Sequence, residues 1–340
     1  MVKVNKMQDA GKRSPVPLLL DVQHLTVSYP SPAGPVRAVR DVSFHLRRTE
    51  ILALVGETGC GKSSLALAML GLAEGADRSE PCRILFEGEN ITSLNEKGWR
   101  KLRGRKIGMV FQDARSTLNP VLTIGSHVLE MLHAHQDLSR REARERAERL
   151  LIDVGIPDPR FCMGRYAFEL SGGMCQRIAI ALAVCHQPQL LIADEPTSAL
   201  DPTLQAQILG LLHQMSRDMG LALLLISHDL ALVASHADRV AVMYHGRIVE
   251  SGPADEIFAQ PAHPYTRGLL DSQPTLKHRR GIHPLASIAG APPAAGEELP
   301  GCSFAPRCAV AESRCSAEIP PAIAVSKDRW AACVRSKAGG

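Results

Sequence analysis

The chain has 340 residues, of which 22% are charged and 45% hydrophobic, with a formal net charge of +4. That profile fits a globular protein with one large domain plus an appendage and argues against disorder. The small charge excess and thirteen scattered histidines make no case for nucleic acid, no apolar run (178–185 is among the longest) can span a bilayer, and the start of the chain lacks the apolar stretch of a secretory signal. A flexible start over residues 1–17 and a cytosolic location follow as expectations, any membrane role coming through a partner.

Leu25, Val27 and Tyr29 alternate with polar residues, as do Val42, Phe44 and Leu46, so two strands are expected around a turn at Pro30, Pro32, Gly34 and Pro35. An apolar strand at 51–55 then runs into Gly56-Glu57-Thr58-Gly59-Cys60-Gly61-Lys62-Ser63, with Ser64 and a helix to Leu72 behind it. This fits G-x-x-x-x-G-K-[ST]. The glycines let backbone N–H groups close around phosphates, Lys62 reaches the β and γ oxygens, and Ser63 can ligate Mg²⁺. The helix start behind the loop favours an anion.

Further apolar strands are expected at 107–111, 190–193, 222–226 and 240–243, and strands separated by helices argue for a mainly parallel α/β core. Between about 113 and 186 the pattern turns helical. Ser139 and Glu142 form a capping box, Ala143, Ala147, Leu150, Leu151 and Val154 follow at helical spacing, and Gly155 with Pro157 supplies the stop. Leu170-Ser171-Gly172-Gly173-Met174 opens a helix with a second glycine-rich anion site, half of another nucleotide pocket. Asp194-Glu195 ends an apolar strand, where Asp194 can hold Mg²⁺ and Glu195 can orient and deprotonate water. Gln112 and His228 each follow a core strand. They should emerge at the same sheet edge, Gln112 to sense Mg²⁺ and water, His228 to bond the γ-phosphate.

Beyond about Lys277 a Pro- and Ala-rich stretch (289–295) reads as a linker. Five cysteines are dispersed through the main domain, as reduced thiols would be. Cys302, Cys308, Cys315 and Cys333 read C-x5-C-x6-C-x17-C instead, unlike the paired C-x2-C of common zinc sites. Four thiolates suit a [4Fe–4S] cluster, with zinc or unliganded structural thiols as the alternatives.

Tyr29, the phosphate loop, Gln112, residues 170–173, Asp194-Glu195, Ser198 to Asp201 and His228 occur in the order of an ABC-type ATPase nucleotide-binding domain, which the chain resembles over roughly 18–270. The resemblance implies that Tyr29 stacks on adenine, that Ser171 and Gly173 meet the γ-phosphate bound to an opposing subunit, and that Asp201 lies in a loop crossing the dimer interface. Phe111-Gln112-Asp113 with Leu118-Asn119-Pro120, and the run from His263-Pro264-Tyr265 to Leu270, resemble the ATP-binding subunits of oligopeptide and dipeptide importers. Nickel, opine and glutathione systems share that pattern. Gly301-Cys302-Ser303-Phe304 and Arg307-Cys308 resemble their C-terminal module, which in some members carries an iron–sulfur cluster.

The implied fold is a P-loop NTPase domain over 18–277, with an antiparallel β subdomain and a helical subdomain, followed by a Cys-rich module over 278–340. The implied function is ATP hydrolysis powering import. The implied partners are a second ATPase in a heterodimer, two permease subunits at the cytoplasmic face of the membrane, and an extracytoplasmic binding protein. A non-transport ABC ATPase usually has two such domains or a long coiled coil, and neither occurs here. A catalytically weak regulatory subunit is opposed by Glu195 and His228. The sequence departs from the family pattern at Thr49, where glycine is usual, at Cys60 for serine, and at Ala114 for proline near the surface expected to grip the permease. Met174 replaces the commoner glutamine, in keeping with the peptide-importer branch. Cys60 is expected to make the pocket a target for thiol reagents.

Overall fold

The structure, a computed structural model, describes residues 18–32, 34–73, 82–198, 200–273 and 287–336, without the side chains of 231 and 232. The expected flexible start (1–17) and the beginning of the expected linker (277–286) lie outside the described residues.

Strands β1 (Leu18–Tyr29), β2 (Val36–Arg47), β4 (Arg83–Phe86) and β5 (Glu89–Asn90) form an antiparallel sheet in the order β2-β1-β4-β5. The second sheet has eight strands. Its centre is parallel, with β3 (Ile51–Val55) flanked by β9 (Arg239–Tyr244) and β8 (Ala222–Ser227), then β7 (Leu190–Asp194) and β6 (Ile107–Val110). β10 (Arg247–Pro253), β12 (Arg329–Ala331) and β11 (Ile323–Ser326) extend it antiparallel beyond β9.

The central strands are apolar at nearly every position because both faces are covered. Period-two alternation sorts them into two cores. Ile51, Ala53, Val55, Leu191, Ala193, Leu223 and Leu225 face the helical side and pack with Val128, Leu151, Ile178 and Leu209. Leu52, Leu54, Leu190, Ile192, Leu224 and Ile226 face the antiparallel sheet and pack with Val22, Val27, Val39 and Phe44. The insertion between β6 and β7 is helical as expected. Its helix Arg140–Asp153 starts with the Ser139–Glu142 capping box, fully formed.

The C-terminal residues are less separate than a linker and module would be. Residues 287–300 have no regular structure, yet Glu297 O accepts from Arg40 (2.9 Å) and His245 (2.9 Å). β12 then joins the main sheet, anchored by Arg329, whose guanidinium lies 2.8 Å from the fully buried Glu250 carboxylate. Thr49, at the usual glycine position, has φ 61 in the tight turn between β2 and β3. A threonine there bears strain that glycine would avoid.

Candidate active site

Parallel pairing brings four strand ends to one edge. Val55 of β3 is opposite Ser227 of β8, Asp194 of β7 is opposite Ile226, and Val110 of β6 is opposite Ala193. The residues that follow these ends are the phosphate loop, His228, Glu195 and, two residues on from Val110, Gln112. The carboxyl edge of a parallel sheet is where such folds bind ligands.

The loop 56–61 packs too tightly for side chains at two points. A Cβ on Gly56 would lie 2.2 Å from Met243 O, and one on Gly61 2.2 Å from Ala38 O, with both glycines at positive φ. No side chain caps the helix Lys62–Met69, so its first amides point outward as anion donors. Lys62 is nearly buried, and its ammonium donates to Gly56 O (2.9 Å) and Glu57 O (3.1 Å).

Glu195 is where the site converges. One carboxylate oxygen lies 3.8 Å from Lys62 Nζ, and the other accepts from Gln112 Nε2 (3.2 Å) and stands 3.3 Å from His228 Nδ1. Its backbone sits at φ 46, unusual for a non-glycine residue, and its N–H donates to Ile226 O. Asp194 beside it is buried, and burial pushes its carboxyl above the ordinary aspartate value despite a hydrogen bond from Ser63. Its Oδ1 has no hydrogen-bond partner. A desolvated carboxylate oxygen without a donor, next to a serine hydroxyl, is a donor set suited to a hard divalent cation.

Cys60 is buried, 7% exposed, and burial outweighs Lys62 in raising its thiol pKa. The expectation of a reagent-sensitive thiol is therefore reversed, because neither access nor thiolate is provided. Ala114 is buried too. It occupies the first turn of the short helix Ala114–Thr117, capped by Asp113. That position favours proline by its backbone angle, so the departure is one of helix geometry and not of an exposed grip.

Tyr29 lies at the end of β1 opposite Val36, two residues before Ala38, whose carbonyl abuts Gly61. Ser171 caps the helix Gly172–Val184 by accepting from Met174 N, and Ser171 and Gly172 are exposed. Asp201 caps the helix Pro202–Met219. Among the described residues, no hydrogen bond or ion pair joins Ser171, Gly172, Gly173 or Asp201 to Lys62, Asp194 or Glu195. The chain brings one constellation together and leaves the other facing outward.

Two contacts to the loop escape a reading of motifs. Glu57 N donates to Tyr265 Oη (2.9 Å), and the Glu57 carboxylate is held by both terminal nitrogens of Arg307 (2.7 and 3.0 Å). Tyr265 lies in the run 263–270 that marks the peptide-importer pattern, but nothing in its spacing points to the phosphate loop.

Cys302, Cys308, Cys315 and Cys333 do converge. All four are free thiols lining one cavity of about 20 Å³, closed by Phe304, Val310 and Pro320. Burial raises the thiol pKa of Cys302 and Cys308. Among the described residues, no group of three or more His, Cys, Asp or Glu is set to hold a metal ion. The expected [4Fe–4S] cluster therefore finds no support in this arrangement. No helix among the described residues is long and apolar enough to cross a membrane.

Residues 39–198 match the ABC transporter family model, and residues 249–315 match that of the oligopeptide/dipeptide transporter C-terminal region. The chain is 44% identical over 328 residues to a Brucella melitensis protein named as a peptide import ATP-binding protein, covering 93% of this chain and 97% of that one. It is 45% identical over 316 residues to the oligopeptide transport ATP-binding protein OppD of Bacillus subtilis, covering 92% and 87%. Among solved structures, cbiO1 from Clostridium perfringens, part of the cbiONQ ABC transporter complex, superposes with a TM-score of 0.61 at 31% identity, over 72% of this chain and 91% of that one. The ATP-binding cassette MJ0796 bound to ADP and Pi shares the fold, with a TM-score of 0.62 at 24% identity over 69% and 98%.

Proposed function

The chain belongs to the ATP-binding subunits of ABC transporters of the peptide-import family, and from that premise we propose how its residues power an oligopeptide importer. It is an ATPase, and the observation that carries the residue roles is the convergence of Lys62, Gln112 and His228 on Glu195. The amides of residues 56–61 and the Lys62 ammonium bind the β and γ phosphates, while Tyr29 stacks on adenine. Ser63, Asp194 and Gln112 are the residues that would hold Mg²⁺, which would neutralise phosphate charge when bound.

Glu195 orients the attacking water and takes its proton. Gln112 and His228 fix the carboxylate, and His228 also reaches the γ-phosphate. The helix start at Ser171–Gly173, exposed at Ser171 and Gly172, offers its amides to the nucleotide of a second subunit, with Asp201 near the seam. ATP then binds the closed dimer better than the open one, and only such a difference can drive closure. Loss of the γ-phosphate contacts on hydrolysis reopens it.

A cavity of about 270 Å³ lined by Leu72, Met109, Phe111, Met131 and Leu182 adjoins Gln112. It supports a seat for the permease, through which this peripheral subunit sits at the cytoplasmic face of the membrane. A heterodimer with a second ATPase, two permease subunits and an extracytoplasmic peptide-binding protein complete the assembly. The test is ATP hydrolysis by the reconstituted importer. Stimulation by peptide-loaded binding protein is expected, and hydrolysis indifferent to permease and peptide would overturn the transport role.

A further inference from the structure

The phosphate loop is held from outside by the C-terminal part of the chain, through its second residue. Glu57 is fixed at three points. Its N–H donates to Tyr265 Oη (2.9 Å), its carbonyl accepts from Lys62 Nζ (3.1 Å), and its carboxylate receives both terminal nitrogens of Arg307 (2.7 and 3.0 Å). Such bidentate pairs fix geometry as well as adding energy.

Arg307 is itself held. Its side chain is 5% exposed, its Nε donates to Ala289 O (3.1 Å), and its guanidinium lies over Tyr244, whose hydroxyl it also meets (3.3 Å). Tyr244, Tyr265 and Phe304 pack against one another with ring centroids 4.5–5.4 Å apart. The carbonyl that helps to place the Lys62 ammonium therefore belongs to the residue gripped by Arg307, 250 positions later in the chain.

We propose that Arg307 is a positioning residue for the phosphate loop, so that the docked C-terminal segment sets the affinity of the chain for ATP. This rests on the reading of residues 56–63 as the ATP site. Arg307 acts by holding Glu57, and through it Lys62, in the arrangement that receives a phosphate. Undocking of residues 302–308 would release the loop.

The experiment measures ATP affinity of the full-length chain by displacement of a fluorescent ATP analogue, alongside thermal melting. The variants are Arg307→Gln, Glu57→Gln, the double variant and Arg307→Lys. Each Gln variant is expected to weaken ATP binding about 10-fold, the loss of one charge-assisted contact. The double variant should be no weaker than the worse single, because the two residues act as one unit. Arg307→Lys, which keeps the charge but not the fork, should fall between. If Arg307→Gln does not fold, Glu57→Gln reads the same contact from the other side.

Lower melting temperatures with unchanged affinity would reduce the pair to a structural staple and overturn the proposal, as would losses that multiply in the double variant. A wild-type chain that fails to bind ATP would instead overturn the reading of the site itself.

Discussion

His228 Nδ1 stands 3.3 Å from Glu195 Oε2, and the same oxygen accepts a hydrogen bond from Gln112 Nε2 at 3.2 Å. Two residues from different strand ends thus fix one carboxylate oxygen, leaving the other facing Lys62. A base held this way has its orientation set before substrate arrives.

Glu195→Gln should therefore lower single-turnover hydrolysis by ~10²–10⁴-fold while ATP still binds. His228→Ala should lower turnover as well, with a smaller effect when Glu195 is already changed, because the two act on the same step. Rapid-quench assays on the assembled transporter check both. Undiminished hydrolysis by Glu195→Gln would exclude it as the base.

Asp194 is a buried carboxylate whose folded pKa is raised, so its charge costs stability at every pH above that raised value and the cost vanishes below the unfolded one. Asp194→Asn should accordingly raise the melting temperature of the nucleotide-free chain at neutral pH, by the ~0.5–2 kcal/mol common for single stabilising substitutions. It should also abolish Mg²⁺-dependent hydrolysis. Melting at pH 7 and pH 3.5 checks the sign, since the advantage should shrink at the lower pH.

His263 is 1% exposed, and burial drives its pKa down to about 4. Its neutral Nδ1 accepts the Tyr265 N–H (3.1 Å). Between about pH 6.5 and 4 the unfolded chain binds the proton and the folded chain does not, so stability falls as pH falls, by roughly 1.4 kcal/mol per unit at most. His263→Asn, which keeps an acceptor, should flatten that slope in denaturant titrations at pH 7 and pH 5.

Glu250 is fully buried and accepts from Arg329, Ala262 N and His263 N. Arg329→Met leaves this charge without its cation and should cost about 3–5 kcal/mol in equilibrium unfolding. The double change with Glu250→Gln should recover part of it.

Thr49 occupies the left-handed region at φ 61. Thr49→Gly relieves strain of order 1–3 kcal/mol and gives back about 0.5–1 kcal/mol in chain entropy, so a net gain near 1 kcal/mol is expected in the same unfolding assay.

Local patterns made much of the site readable from the chain alone. Lys62, Asp194, Glu195, Gln112 and His228 each sit just after an apolar run, and runs that are apolar throughout predict buried parallel strands, whose ends must share an edge. The capping box at Ser139 and the glycines at 56 and 61 were equally visible, because each answers a constraint only a few residues long. Where the prediction failed, the deciding contacts were distant. Cys60 looked like a target for thiol reagents in the pocket, yet its side chain is buried, only 7% exposed. The spacing of the last four cysteines suited a cluster, but the four thiols line a cavity of about 20 Å³ beside Phe304 that gives a cluster no support.

The sequence by itself determined the apolar strands of the sheet, the loop that closes on phosphate and the edge its functional groups share, since apolar patterning, glycine and strand length act locally. Tertiary structure alone decided that β12 joins the main sheet through Arg329 and Glu250, and that Arg307 reaches back to Glu57. Those pairings depend on which buried charge finds its partner once the chain has collapsed, and no spacing along the chain encodes a contact made across 250 residues.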